Sequence, residues 1–332
     1  MKSAGVGDRV VTNISELSAK GADFVRLPDG YARRDFSALP QNALERMVTR
    51  PKISRLRAAW LGAATARGGP IVSHLPRTTA AVGHALAALR SASPHLAFSF
   101  NFTRLPTGPD RRRLRSSFLR VSRFCVFSEY ERQLYPRNFR LPEDVFVRTM
   151  WTQPPPVASP DAGPLPPKTY VSAVGGEGRD YATLIRAAEL LPHIDFVIVA
   201  RPHNIRGTLP ANVRLFFNLA AAATWRIVAD STCTVVPLET ADTCCGHITL
   251  TSTRLLGVPT ISTRSEATRE YTEGMSLCEP SDYRALAELI ADHHSNWEGV
   301  TSAARARVPE CMKLHDRENW APVVAGFLAD FT

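Results

Sequence analysis

In the second half of the chain, short apolar runs alternate with helical stretches. TYVSAV (169–174), DFVIVA (195–200), NVRLFF (212–217), the run Thr234 to Leu238 and the run Thr260 to Ser262 predict strands. Helices are predicted over about 180–191, 221–229 and 247–256, and a final one begins at Ser281-Asp282, a helix-capping pair. Apolar strands separated by helices predict a parallel sheet covered on both faces, with ligands beyond the carboxyl ends of the strands. The first half shows the same alternation more faintly. PIVSHL (70–75), HLAFSF (95–100), RFCVFS (123–128) and DVFVR (144–148) predict strands, with a helix at 78–90. Residues 41–66 predict a long basic helix carrying Arg46, Arg50, Lys52, Arg55, Arg57 and Trp60, kinked or interrupted at Pro51. The first 40 residues give no assignable pattern.

Between the halves lies TQPPPVASPDAGPLPPK (152–168), with seven prolines. It predicts a stiff extended linker rather than packed structure. Three parts follow: an N-terminal domain over 1–151, the linker over 152–168 and a C-terminal domain over 169–332, whose last helix is a candidate to cross back. At 332 residues the chain has room for two such domains. The expected fold class is α/β.

Charge separates the same two halves. Up to Pro155 there are 25 basic and 11 acidic residues, a net of +14; the remainder has 15 and 20, a net of −5. Of the 40 basic residues 35 are arginine. A basic first half predicts an anionic partner: a membrane surface, a lipid phosphate, an acidic polymer or nucleic acid. No apolar run reaches the ~18–20 residues of a membrane span, and the N-terminus lacks the apolar stretch of a signal peptide. The expectation is a cytoplasmic protein, peripheral at most at the inner membrane face, with its six cysteines reduced.

Two glycine-bearing turns carry the candidate chemistry. Gly175-Gly176-Glu177-Gly178-Arg179-Asp180 follows one strand and opens a helix; Gly246-His247-Ile248-Thr249 does the same further on. Free N–H groups and the helix dipole at such turns suit an anion, and Arg179 and Arg201 add guanidinium charge. Cys244 and Cys245 lack a Cys/His pair to complete a metal site, so no metal or other cofactor is expected. In the first half, His74 and Asn101 end strands as candidate catalytic polar groups, with His74 the candidate base. Arg104, Arg111 and Arg112 belong to a basic patch in this half. His293 and His294 are expected to be exposed.

These residues resemble glycosyltransferases of the GT-B fold, and most specifically the family-four-like ones. The resemblance is closest over about 170–295. Gly-x-x-x-Arg-Asp-Tyr-x-x-Leu (175–184) is similar to the start of their donor domain, and Gly257-Val-Pro to their Gly-Lys-Pro-Val turn. It implies an α/β fold of two Rossmann-like domains facing across a cleft (GT-B architecture), in which Arg179 contacts a donor diphosphate, Gly246, His247, Ile248, Thr249 and Ser252 line the donor pocket, the loop beginning at Asn218 approaches the base, and the basic N-terminal domain with Arg104, Arg111 and Arg112 takes the acceptor. Gly246-x-x-Thr249-x-x-Ser252 also resembles the Gly-x-x-Thr-x-x-Glu element of the peptidoglycan GlcNAc transferase. The two glutamates of the family-four-like signature are replaced by Cys244 and Ser252. The expectation is a nucleotide-sugar-dependent glycosyltransferase (UDP or GDP) acting on a lipid-linked or cell-envelope saccharide. Two further classes stay open: a DNA-base-modifying glycosyltransferase held by the arginine surface, and a non-catalytic binding protein on a degenerate scaffold.

Overall fold

A computed structural model describes residues 9–17, 26–48, 52–159, 169–242 and 244–331. The chain divides into two compact units, Met1–Met150 with Arg317–Thr332, and Trp151–Asp316. The chain thus changes unit at Met150, and its last segment returns to the first unit. The expected kink or break at Pro51 and residues 160–168 of the expected linker lie outside the described residues.

The first unit is built on six parallel strands in the order β2-β1-β3-β4-β5-β6. They are β1 (Arg9–Ser15), β2 (Tyr31–Ser37), β3 (Ile71–His74), β4 (His95–Phe98), β5 (Arg123–Val126) and β6 (Phe146–Arg148). β1 and β2 pair from Arg9↔Tyr31 to Ser15↔Ser37, within the stretch where the sequence showed no pattern. The long helix expected over 41–66 is two: α1 (Ala43–Met47) and α2 (Ile53–Ala66). Val48 leaves the helical region after α1, and Lys52 is extended before α2 starts. The ion pair of Arg57 with Glu45, at 2.6 Å, ties the two together.

α2 and α3 (Pro76–Ala88) cover one face, where Ile14, Ala58, Ala59, Ile71, Val82 and Leu86 form a core. α4 (Gly108–Phe118) and α5 (Glu129–Phe139) enclose Phe100, whose ring meets those of Phe118, Phe124 and Tyr135 edge-on. The returning segment ends in a helix over Ala321–Asp330, seated by Trp320. That indole is fully buried, lies 4.8 Å from the Phe98 ring edge-on, and donates through Nε1 to the Met150 carbonyl at 2.7 Å.

The second unit repeats the plan with β7 (Tyr170–Val174), β8 (Asp195–Ala200), β9 (Val213–Phe217), β10 (Cys233–Val236), β11 (Thr260–Thr263) and β12 (Ser276–Cys278). Their order is β12-β11-β10-β7-β8-β9, all parallel. The crossovers are α6 (Tyr181–Glu189), α7 (Ala221–Ala229) and α8 (His247–Leu256). α9 (Tyr283–Ser295) starts where expected, with the Asp282 carboxylate capping the Ala285 N–H at 3.0 Å. Two helices follow it in this unit, α10 (Trp297–Ala306) and α11 (Val308–Leu314); the returning helix of the first unit is α12. Val171, Leu184, Phe196, Ile198, Val235 and Ile290 centre the core, each buried side chain contributing ~1.5–3 kcal/mol. None of the six cysteines forms a disulfide, and all are buried.

The start of the expected linker is packed, which corrects the extended reading. Thr152 is fully buried, the Trp151 N–H donates to the Tyr271 hydroxyl at 2.7 Å, and the His315 ring meets the Trp151 carbonyl at 2.7 Å. Pro154 and Pro155, just beyond, are exposed.

Two buried imidazoles of the first unit make its stability depend on pH. Burial pushes His74 down to about 4 and His95 down to about 3, from an ordinary 6.5. Both are neutral in the fold, whereas the unfolded chain takes up their protons below about 6.5. Their contribution is therefore complete above about 6.5 and is lost as pH falls toward 4, at up to ~1.4 kcal/mol per pH unit for each group. Urea midpoints measured from pH 7 to pH 4 should fall accordingly, and His95→Gln should flatten the slope. A wild-type midpoint that stays constant over that range would show that these rings are solvated.

Candidate functional site

The strand order of the second unit places β7 beside β10, with β8 and β9 on one side and β11 and β12 on the other. This is the point where an open α/β sheet reverses its direction of winding, and in such sheets ligands sit beyond the carboxyl ends of the strands there. The loop after β7 is Gly175–Asp180, and that after β10 runs from Pro237 to Gly246. The two are strapped together. The Asp180 N–H donates to the Pro237 carbonyl at 2.9 Å, the Glu239 N–H to the Gly178 carbonyl at 3.1 Å, and Arg179 pairs with Leu238 as a short bridge. The two glycine-bearing turns thus lie on the same edge of one sheet.

Arg179 is the side chain that joins them, and it is only 7% exposed. Nε donates to the Val174 carbonyl at 3.3 Å, Nη1 to the Glu177 carbonyl at 3.1 Å and Nη2 to the Thr249 hydroxyl at 3.0 Å. Nη1 also reaches Cys245 Sγ at 3.9 Å. Every one of these hydrogen-bond partners is neutral, while the carboxylates of Glu177 and Glu239 lie near enough to act on the Cys245 thiol beside it. The glycines permit this packing. Gly175 has φ +135, and a Cβ there would come within 2.7 Å of Arg179 Nε. Tyr181 supports the turn from below, its hydroxyl donating to the Gly175 carbonyl at 2.7 Å.

Gly246, at φ +103, is the N-cap of α8 and supplies no capping side chain. The Leu250 N–H closes the first helical bond, to the Gly246 carbonyl at 2.9 Å. The first N–H groups of α8 precede it and have no acceptor within the helix itself. A helix N-terminus with no capping side chain, beside a buried arginine, is an electropositive corner suited to an anion.

The other expected donor residues divide. Arg201 lies over Gly176, is 53% exposed and pairs with Glu177. Asn204, which the sequence did not single out, fixes this loop: its amide donates to the Gly176 carbonyl and its oxygen accepts from the Arg201 N–H, both at 2.9 Å. Asn218 is exposed at φ +52 after β9. The Ile248 side chain points outward. His247 is a packing residue: its Nε2 meets the Ala267 carbonyl at 3.1 Å, its ring lies edge-on to Tyr271 at 4.6 Å, and burial pushes it down to about 4. Ser252 is fully buried and accepts from the Gln153 amide at 2.7 Å, which corrects its expected role at the donor pocket. Cys244 and Cys245 are buried, the Cys245 thiol raised by burial and drawn part-way back by Arg179.

No protein-family model and no curated protein matches the chain. Solved structures do. A glycosyltransferase from Rickettsia africae is similar over 98% of both chains, with a TM-score of 0.64 and 14% identity. HepE from Anabaena, solved with UDP and glucose, is similar over 97% of this chain and all of its own, with a TM-score of 0.69 and 12% identity. Sucrose-phosphate synthase from Thermosynechococcus elongatus covers 98% of this chain and 91% of its own, at 0.67 and 14%. Such identities speak for architecture alone. The fold is GT-B. In this GT-B chain the second unit's switch point holds the two strapped turns.

The GT-B assignment leaves the first unit's catalytic candidates to be judged on their own surroundings. His74 is fully buried; Nε2 meets the Asn13 side-chain oxygen at 2.9 Å, and the Asn13 amide donates to Asp35 at 2.8 Å. This corrects its expected role as a base, because the ring joins β3 to β1 and reaches no solvent. Asn101 is half-buried, in the loop beyond β4 rather than at its end. Arg104 is exposed in the same loop, and Arg111 and Arg112 stand on α4. With Arg115, Asn138 and Arg140, the last two line a cavity of about 430 Å³. No carboxylate lines it, since the nearby Asp110 pairs with Arg77 and Glu129 with Arg132.

Proposed function

We propose that this protein is a glycosyltransferase that takes its sugar from a nucleotide diphosphate, UDP in preference to GDP. The observation that carries the proposal is Arg179: a buried guanidinium with neutral hydrogen-bond partners, bridging two glycine-bearing turns at the switch point beside the uncapped start of α8. A diphosphate in that corner would meet the N–H groups of His247 to Thr249 and the Arg179 charge. As the sugar–phosphate bond breaks, negative charge grows on the departing diphosphate, and fixed dipoles aimed at it lower the barrier without reorganisation. Exposed Arg201 would release Glu177 and add a second charge. The likeness to HepE, solved with UDP and glucose, supports UDP as the nucleotide.

In this proposal the charge is handled by arginine and helix N–H groups, with no cofactor or metal ion, and activity should survive EDTA. The first unit takes the acceptor. Its arginine-lined cavity on α4 favours an anionic, lipid-linked or cell-envelope saccharide. α2 exposes Leu56 and Trp60 one turn apart, beside Lys52 and Arg55, which both pair with Glu16; the exposed apolar pair suits peripheral docking on a lipid surface. No helix among the described residues is long and apolar enough to cross a membrane.

The test is a thermal-shift panel of UDP-, GDP-, dTDP- and CMP-sugars, followed by transfer assays. A UDP-sugar at 100 times its Kd should stabilise by about 2.7 kcal/mol; no response to any nucleotide sugar would overturn the proposal. Sedimentation with anionic vesicles, reduced by Trp60→Ser, tests the docking. Salt-sensitive binding to duplex DNA without vesicle binding would instead favour a nucleic-acid acceptor.

A further inference from the structure

α8 begins at the proposed donor corner and ends in a second, unrelated site. Its last turn carries Arg254, which is only 8% exposed. The guanidinium makes one hydrogen bond, from Nη1 to the Tyr271 carbonyl at a long 3.5 Å, and pairs with no carboxylate among the described residues. Beside it lies a cavity of about 180 Å³. Arg307 forms part of the wall, its guanidinium lying across Gly274 and its Nη2 bonded to Glu273 at 2.9 Å. The wall also holds His293 and Ser276, joined at 2.9 Å between Nε2 and Oγ. His293 was expected to be exposed; it is buried, and its Nδ1 has no partner. Val258, Met275, Val300 and Ala304 make the remainder largely apolar.

Two guanidiniums and one carboxylate leave this cavity with one uncompensated positive charge. A buried cation without a carboxylate partner is costly; the Tyr271 carbonyl and the carbonyl end of α8 offset part of that cost, and no carboxylate among the described residues offsets the rest. A carboxylate ligand would offset it, meeting the guanidinium fork through two oxygens. The apolar walls favour a short hydrocarbon body over a strongly hydrated inorganic anion.

We propose that the cavity between the end of α8, β12 and helices α9 to α11 binds a small organic monoanion. The ligand is a carboxylate with a compact apolar body, held by Arg254 and bordered by Arg307, Ser276 and His293. The site is independent of the glycosyltransferase proposal, and its test needs no turnover.

Thermal unfolding in sodium butyrate, against sodium chloride at matched ionic strength, is the first measurement. Butyrate should raise the wild-type Tm. Arg254→Met, which keeps the length of the side chain and removes the charge, should abolish that rise. In chloride alone the variant should be as stable as wild type or more so, since an unpaired buried charge has been removed. Ala304→Leu fills the cavity and leaves Arg254 in place; it should abolish the rise by a separate route. The proposal is overturned if butyrate leaves wild type unchanged, if it stabilises wild type and Arg254→Met equally, or if inorganic phosphate alone produces the Arg254-dependent rise.

Discussion

Replacing Arg179 by alanine is expected to weaken UDP or GDP binding at least tenfold, a loss of about 1.4 kcal/mol or more. The change removes the charge beside the start of α8 and also the donors to Val174, Glu177 and Thr249. Left buried without donors, those oxygens cost ~1–3 kcal/mol each, so the turn itself should loosen. Arg179→Lys separates the two effects. A lysine keeps the charge but cannot hold the fork of contacts, so its nucleotide affinity should lie between wild type and alanine. Calorimetry with UDP gives the affinity, and circular dichroism checks that the unit is folded. Wild-type affinity in a folded Arg179→Ala protein would remove the arginine from the donor corner.

Trp320→Ala is expected to destabilise the first unit by about 3–5 kcal/mol, as for other fully buried aromatic side chains cut to alanine. The indole fills space against Phe98 and Phe127 and satisfies the Met150 carbonyl. Trp320→Phe keeps part of the volume and loses the N–H, so its cost should be smaller. Urea unfolding measures both. A cost under about 1 kcal/mol for alanine would show that the returning segment is only loosely held.

The second unit was more legible in the sequence than the first, for a physical reason. Its central strands are buried on both faces, so DFVIVA and TVVPL read as apolar runs with glycine turns between helices. β2 is an edge strand, YARRDFS, with Arg34 and Asp35 facing water, so nothing in its pattern separates it from a loop. β1 holds buried Asn13 and Thr12 among its apolar residues, and only its pairing on both sides makes it a strand. Spacing located Arg179 and the start of α8, because both belong to local turns. It misjudged Ser252 and His74, whose surroundings are made by residues far away in sequence: Gln153 for one, Asn13 and Phe98 for the other. Arg254 stood out least, since a lone arginine in TSTRLL reads as the wet side of a helix.

The return of residues 317–332 to the first unit also sets an order of events on the ribosome. The portion ending at Met150 leaves the exit tunnel without the indole that completes its interior. It must wait while the whole of the second unit is made, on the order of ten seconds to half a minute at ~5–20 residues per second. The later-made unit, continuous in sequence, is free to finish first. The earlier one stays open to chaperones and proteases until Trp320 has emerged, and a chain cut short before that residue would carry a sound second unit attached to a vulnerable first.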